Sequence, residues 1–359
     1  MPAIDTLLRQ MLEKGGSDLH LTVGLPPKAR ISGNLVPISE TPVTAEKMAV
    51  LLEEICPPAR WKQFLEKKDL DLAHEITGLA RFRGNYLYNH WGQAAVFRQI
   101  PSKILSFDEL KLPPALKKLC HLTEGLVVVT GPTGSGKSTT LAAMIDYIND
   151  TSARHIITIE DPVEFVHKDK KSVIVHREVG DHTRTFGAAL KGAMRHDPDI
   201  LLVGEMRELE TIKLALSCAS MGMLVFGTLH TNNAPKTIDR IINAFPAAEQ
   251  NQVRVMLAGC LAGVVAQLLC KRLPKGRCAV HEILLQHEAL PNTIRSGQIN
   301  NIRALIEGGG ADGMTTMDHS LQARVNDGSI APLEAYMKAA NKAAFAGQLQ
   351  PGDLDGGHH

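Results

Sequence analysis

Apolar and polar residues alternate with two different rhythms along this chain. Ile4, Leu7, Leu8, Met11 and Leu12 recur at helical spacing, so Ile4 to Lys14 is predicted as an amphipathic helix. Asp18 to Val23 and Ala29-Arg30-Ile31 alternate with period two, and Gly33-Asn34 marks a turn, which predicts strands. Ala45 to Ile55 reads as a second helix, stopped by Pro57-Pro58. Ala80 to Tyr86 and Ala94 to Arg98 read as paired strands in which Arg81, Arg83 and Arg98 alternate with apolar neighbours. Residues 1–101 are therefore predicted to form a small α+β domain.

The stretch from Pro101 to Pro114 has prolines at both ends, and residues 102–114 are expected to be a linker. Beyond them the apolar runs Leu126–Thr130, Ile156–Ile159, Ile200–Val203 and Leu224–Gly227 alternate with helical stretches. That order predicts a largely parallel sheet flanked by helices across residues 115–288. Polar, reactive residues follow each run, at the carboxyl ends of the strands where such folds bind ligands. The longest apolar stretch, Val255 to Cys270, is shorter than the roughly 20 residues of a membrane span. It is interrupted by Gly259, Gly263 and Gln267 and is predicted to be a buried core helix. Residues 289–345 read as short helices joined by glycines, and 346–359 as a polar, disordered tail.

Composition narrows the function classes. The chain has 359 residues, enough for two or three domains, and is 44% hydrophobic and 21% charged, as soluble globular proteins are. A formal net charge of +1 supplies no general attraction to nucleic acid, so no nucleic-acid partner is expected. The six cysteines form no C-x-x-C pair, which favours buried reduced thiols over disulfides or zinc. Met1 leads into Asp5, Arg9 and Glu13 without an apolar core, so no signal peptide and a cytoplasmic location are expected.

The chemistry concentrates after the predicted strands. Gly131-Pro132-Thr133-Gly134-Ser135-Gly136-Lys137-Ser138-Thr139 fits the phosphate-binding pattern G-x-x-x-x-G-K-[ST], with a strand before it and a helix after. Such a loop turns its amide N–H groups toward a polyphosphate, and the helix adds its positive end. Lys137 would reach the β- and γ-phosphates of ATP and the Ser138 hydroxyl would ligate Mg²⁺. Glu160, Asp161 and Glu164 follow the second run, three carboxylates within five residues. Glu205 follows the third, placed to hold Mg²⁺ or its waters, and His230 follows the fourth, placed to sense the γ-phosphate.

In their order these blocks resemble the PilT family, the retraction ATPases of type IV pili within the secretion ATPase superfamily. The resemblance runs from about Asp5 to Phe345. It rests on Ser17-Asp18-Leu19-His20-Leu21 and Gly24-Leu25-Pro26-Pro27, on the arginine strands Arg81-Phe82-Arg83 and Phe97-Arg98-Gln99-Ile100-Pro101, and on the Walker A loop. It continues through the Asp box Ile159 to Glu164, the Walker B segment Gly204 to Arg207, the His box Gly227 to Thr231, and Gly313 to Asp318. It implies an α/β fold: a PAS-like N-terminal domain, a RecA-like P-loop NTPase core and a small C-terminal helical region. It also implies a homohexameric ring, Glu164 as general base, Glu205 as the Walker B metal residue, and Glu160 and Asp161 around the metal's waters. Arg83 and Arg98, with Arg81, would reach phosphates of an adjacent subunit. The partner would be a platform protein of the inner membrane, with the motor peripheral at its cytoplasmic face.

One segment departs from the family. Its retraction motif reads roughly A-I-R-N-L-I-R-E-G-K, where this chain has Ala289-Leu290-Pro291-Asn292-Thr293-Ile294-Arg295-Ser296-Gly297-Gln298. Pro291 replaces a basic position, and Ser296 and Gln298 replace a Glu and a Lys. The principal motor and an accessory paralogue therefore both stay open. An extension or type II secretion ATPase is the nearest rival, although no four-cysteine zinc module is present. A hexameric DNA translocase is more distant, because no basic, aromatic-interleaved stretch occurs.

Overall fold

The computed structural model describes residues 2–100, 103–350 and 353. Two compact units form, one of Met1–Lys103 with Pro162–Val166, the other of Ile104–Asp161 with His167–His359.

In the first unit, β1 (Asp18–Thr22), β2 (Lys28–Ile31), β3 (Asn34–Pro37), β4 (Asp69–Ile76), β5 (Ala80–Asn89) and β6 (Gly92–Ile100) make an antiparallel sheet in the order β3-β2-β1-β6-β5-β4. Period-two patterning gives the sheet one apolar face. Phe82, Tyr86 and Phe97 are fully buried there with Ile4, Leu8, Met48 and Leu52 from the helices Ala3–Glu13 and Ala45–Glu53. A third helix, Pro58–Lys67, was not expected. Pro58 sits in its first turn, where the missing N–H costs nothing, so the prolines that end one helix also begin the next.

In the second unit, β7 (Gly125–Thr130), β8 (His155–Glu160), β9 (Val173–Glu178), β10 (Ile200–Val203), β11 (Leu224–Leu229), β12 (Leu261–Lys271) and β13 (Arg277–Leu285) lie in the order β13-β12-β7-β11-β10-β8-β9. All neighbours are parallel except β12 and β13. β7, β10 and β11 are buried along their whole length, which is why each reads as a continuous apolar run. Leu141, Met144, Ile145 and Ile148 of the helix Lys137–Thr151 join Val127, Val128 and Val129 in one core.

Three expectations change. Val255 to Cys270 is not one helix: the helix Gln250–Cys260 ends and β12 begins at Leu261. A strand buried on both faces has the same unbroken apolarity as a buried helix, so periodicity cannot separate them. The expected linker carries structure of its own within residues 103–114, because the capped helix Phe107–Leu110 buries Phe107, and Leu112 is buried in the core of the second unit. The expected tail is ordered at its start, where Gln348 and Gln322 exchange side-chain hydrogen bonds at 2.8 and 3.2 Å. Residues 351, 352 and 354–359 lie outside the described residues. Among the described residues the cysteines are free, and no helix is long and apolar enough to cross a membrane.

The Tyr86 hydroxyl donates to Leu52 O at 3.0 Å inside the first core. Tyr86→Phe strands that carbonyl and is expected to lower stability by about 1–3 kcal/mol in denaturant melts. An unchanged midpoint would show that water reaches Leu52 O.

Candidate functional site

β7, β8, β10 and β11 run parallel, so their carboxyl ends lie along one edge of the sheet. The pairing of Leu229 with Thr130, and of Val203 with both Ile159 and Gly227, sets the levels at which the loops leave. The phosphate-loop pattern, Glu160-Asp161, Gly204-Glu205 and His230 thus follow neighbouring strands on that edge.

Close packing shapes the loop after β7. A Cβ at Gly131, whose φ is +148°, would stand 2.2 Å from the Gln267 carbonyl oxygen on β12, so no side chain fits there. Lys137 opens the following helix and is buried, with Nζ donating to Gly131 O at 2.8 Å and Pro132 O at 3.2 Å. The Ser135 hydroxyl is buried without a hydrogen-bond partner, while Pro132, Thr133 and Gly134 are exposed. Gly136 (φ +85°) precedes the helix, and Ser138 and Thr139 are half-buried in its first turn. This cradle fits a phosphate chain: an orphaned hydroxyl, a lysine and a helix N-terminus stand within three consecutive residues.

The turn after β10 is held from both sides. Gly204 N donates to Ile159 O at 2.8 Å, Met206 N donates to Thr228 O at 3.0 Å, and the Thr228 hydroxyl donates to Gly204 O. Glu205 is thereby presented at the edge, 3.0 Å from His230 Nε2 and 3.0 Å from Arg207 Nε. Ser138 and Glu205 offer hydroxyl and carboxylate oxygens, the hard donors that suit Mg²⁺. The Thr130 hydroxyl at the end of β7 donates to Thr231 O at 2.6 Å, and Thr231 Oγ1 lies 2.7 Å from Thr237 Oγ1. Glu282 on β13 accepts Ala234 N at 2.8 Å, so the segment carrying His230 is fixed at both ends.

Glu164, Arg81, Arg83 and Arg98 belong to the first unit. Glu164 is half-buried between the buried Val163 and Phe165. Arg83 and Arg98 face each other across β5 and β6, and Arg81 shares their face, opposite the apolar core. Like charges opposed in this way repel. Asp18, itself buried, accepts from Arg98 Nε at 2.7 Å, and Asp71 accepts from Arg83 Nε at 3.4 Å. Burial raises the Asp18 carboxyl, but hydrogen bonds from Ser17 and Arg98 outweigh it and hold the group below the usual carboxylate range. The Arg83 pair is exposed and worth about 1 kcal/mol or less, too little to bar that guanidinium from a phosphate.

Sequence reasoning passed over Arg207, Thr130, Thr231 and Thr237. For Arg207, Thr130 and Thr231 the one signal is position, at or just beyond a strand's carboxyl end, whereas Thr237 sits within the helix Ala234–Asn243.

A family model described as type II/IV secretion system protein matches residues 2–304. The PilT type IV pilus retraction ATPase of Pseudomonas aeruginosa is 47% identical over 336 residues, covering 94% of this chain and 98% of that protein. A twitching motility protein of Neisseria gonorrhoeae is 47% identical over 321 residues, covering 89% of this chain and 86% of its own. The crystal structure of the pilus retraction motor PilT with bound ADP superposes with a TM-score of 0.88 at 40% identity, covering 96% of this chain and 98% of that one.

Two buried histidines make the second unit acid-sensitive. Burial, with repulsion from His176, lowers His167 to about 4, and burial, with repulsion from Arg324, lowers His281 to about 4. The unfolded chain takes up these protons near pH ~6.5, and the fold refuses them until far lower. Their contribution is complete above pH ~6.5 and is lost as the pH falls through that window. Burial raises Glu282, which works in the opposite sense, one group against two. Melting at pH 5 is therefore expected several degrees below melting at pH 7, and a flat profile would contradict the neutral, buried assignment.

Proposed function

This chain belongs to the type II/IV secretion system protein family, and from that membership we propose that it hydrolyses ATP to drive retraction of a type IV pilus. The observation that carries the reading is the cradle Gly131–Thr139 at the end of β7, on the same sheet edge as Glu205 and His230. Its retraction-ATPase and twitching-motility relatives supply the purpose of the hydrolysis.

In this reading the loop amides and Lys137 bind and orient the polyphosphate, so that the γ-phosphorus is held for in-line attack. Glu164 takes the proton of the attacking water while the bond to the ADP oxygen breaks. Ser138 and Glu205 would hold Mg²⁺, and Glu160 and Asp161 would hydrogen-bond its waters. The metal, when bound, supplies positive charge beside the phosphate oxygens. His230, which lies 3.0 Å from Glu205, would report whether the γ-phosphate is present. Arg83 and Arg98, with Arg81, act on the nucleotide of a neighbouring copy, which requires a ring, taken here as a homohexamer. The working location is the cytoplasmic face of the inner membrane, against a platform protein there.

A second reading, an accessory retraction ATPase, is favoured by the segment from Ala289 to Gln298. It forms the helix Leu290–Arg295 with Pro291 in the first turn, where no N–H is needed. Leu290, Thr293 and Ile294 are buried, whereas Ser296 and Gln298 are exposed. The departure from the family therefore leaves the helix intact, places Thr293 at a buried position, and sets Ser296 and Gln298 on the surface just past its end, where a partner would read them.

Glu164→Gln is expected to keep nucleotide binding and lose a factor of about 10² to 10⁴ in turnover. Turnover at the wild-type rate would remove Glu164 as the base. Lys137→Ala is expected to weaken nucleotide binding itself, read by equilibrium titration. Deleting the gene in its native host and counting surface pili tests the biological role. Excess pili with lost motility identify the principal motor, and unchanged pili identify an accessory one.

A further inference from the structure

The lone glutamine of the apolar run in β12 lies beneath the phosphate loop. Gln267 is buried, and its side-chain nitrogen donates to Ser135 O at 2.6 Å. Its side-chain oxygen accepts from the Thr140 hydroxyl at 2.8 Å and lies 3.1 Å from His281 Nε2. Gln267 and His281 are direct partners across β12 and β13. His281 is fully buried and neutral near pH 7, so it can donate to that oxygen. Two donors on the oxygen leave the amide only one orientation, with its NH₂ group toward Ser135.

We propose that Gln267, held by Thr140 and His281, is a positioning residue that aims the phosphate loop's backbone at the nucleotide. The peptide bond supplies the lever. Across a planar trans peptide the carbonyl of one residue and the N–H of the next point in opposite directions. Anchoring Ser135 O on β12 therefore turns the Gly136 N–H away from β12, toward the open side of the loop. The glycines follow from the closeness of the same residue, its side-chain nitrogen at Gly136 and its main-chain oxygen at Gly131. A Cβ at Gly136 would stand 3.0 Å from Gln267 Nε2, and one at Gly131 would strike the Gln267 carbonyl oxygen. Loop and strand are thereby held together by one residue of β12.

This inference rests on the ATPase reading, and the test separates the two. The full chain is titrated with a fluorescent ADP analogue in Mg²⁺, and ATP turnover is measured beside thermal melts. Gln267→Met keeps the volume and removes the donor and the acceptor. It is expected to raise Kd for the analogue and KM for ATP about five- to tenfold, with kcat changed less than about twofold. A merely structural role lowers the amount of folded enzyme, and with it the apparent kcat, but leaves Kd and KM in place. Thr140→Val removes one of the two orienting donors and is expected to raise Kd about twofold. A folded Gln267→Met protein with wild-type Kd overturns the role of Gln267. Should Gln267→Met fail to fold, Thr140→Val decides, and an unchanged Kd in it overturns the proposal. A wild-type chain that binds no ADP analogue overturns the ATPase reading itself.

Discussion

The second unit depends on the hydrogen bonding of β7, a strand with no exposed residue. Its backbone polar groups find partners on β11 and β12, because a buried unpaired group would cost about 1–3 kcal/mol. That pairing fixes where the chain leaves the sheet. Gly131, with a backbone conformation that other residues rarely adopt, then carries the chain past β12 into the loop. Cradle, lysine and helix N-terminus follow from that exit.

The remaining groups on the edge are fixed through the neighbours of β7. Thr130 ties its end to Thr231, Thr228 ties β11 to Gly204, and Gly204 ties the turn back to β8. Glu205 and His230 meet at 3.0 Å because the strands that carry them are locked in register. Each link is a modest hydrogen bond. Together they leave the site little freedom to drift, which suits chemistry that depends mainly on positioning and charge.

The first unit follows a different logic. Its sheet spends one face on the core of Phe82, Tyr86 and Phe97, and the other carries Arg81, Arg83 and Arg98. Two arginines opposed across strands are unfavourable unless something balances them. Asp18 and Asp71 do so in part, through one buried and one exposed carboxylate.

Much of this was legible in the chain itself. The loop pattern, the acids and histidine after apolar runs, and the alternating arginines are local signals, because spacing along one strand or turn creates them. β12 was not legible, since a strand buried on both faces has the apolarity of a core helix. Nor were β9 and β13 expected, and Arg207 and the threonines Thr130, Thr231 and Thr237 were passed over. The amino-acid sequence by itself determined which residues could bind phosphate and where strands would end. Only the tertiary structure decided that Gln267 lies beneath Ser135, 132 positions away. That contact depends on β12 pairing with β7, and pairing between distant segments leaves no periodic trace in either one.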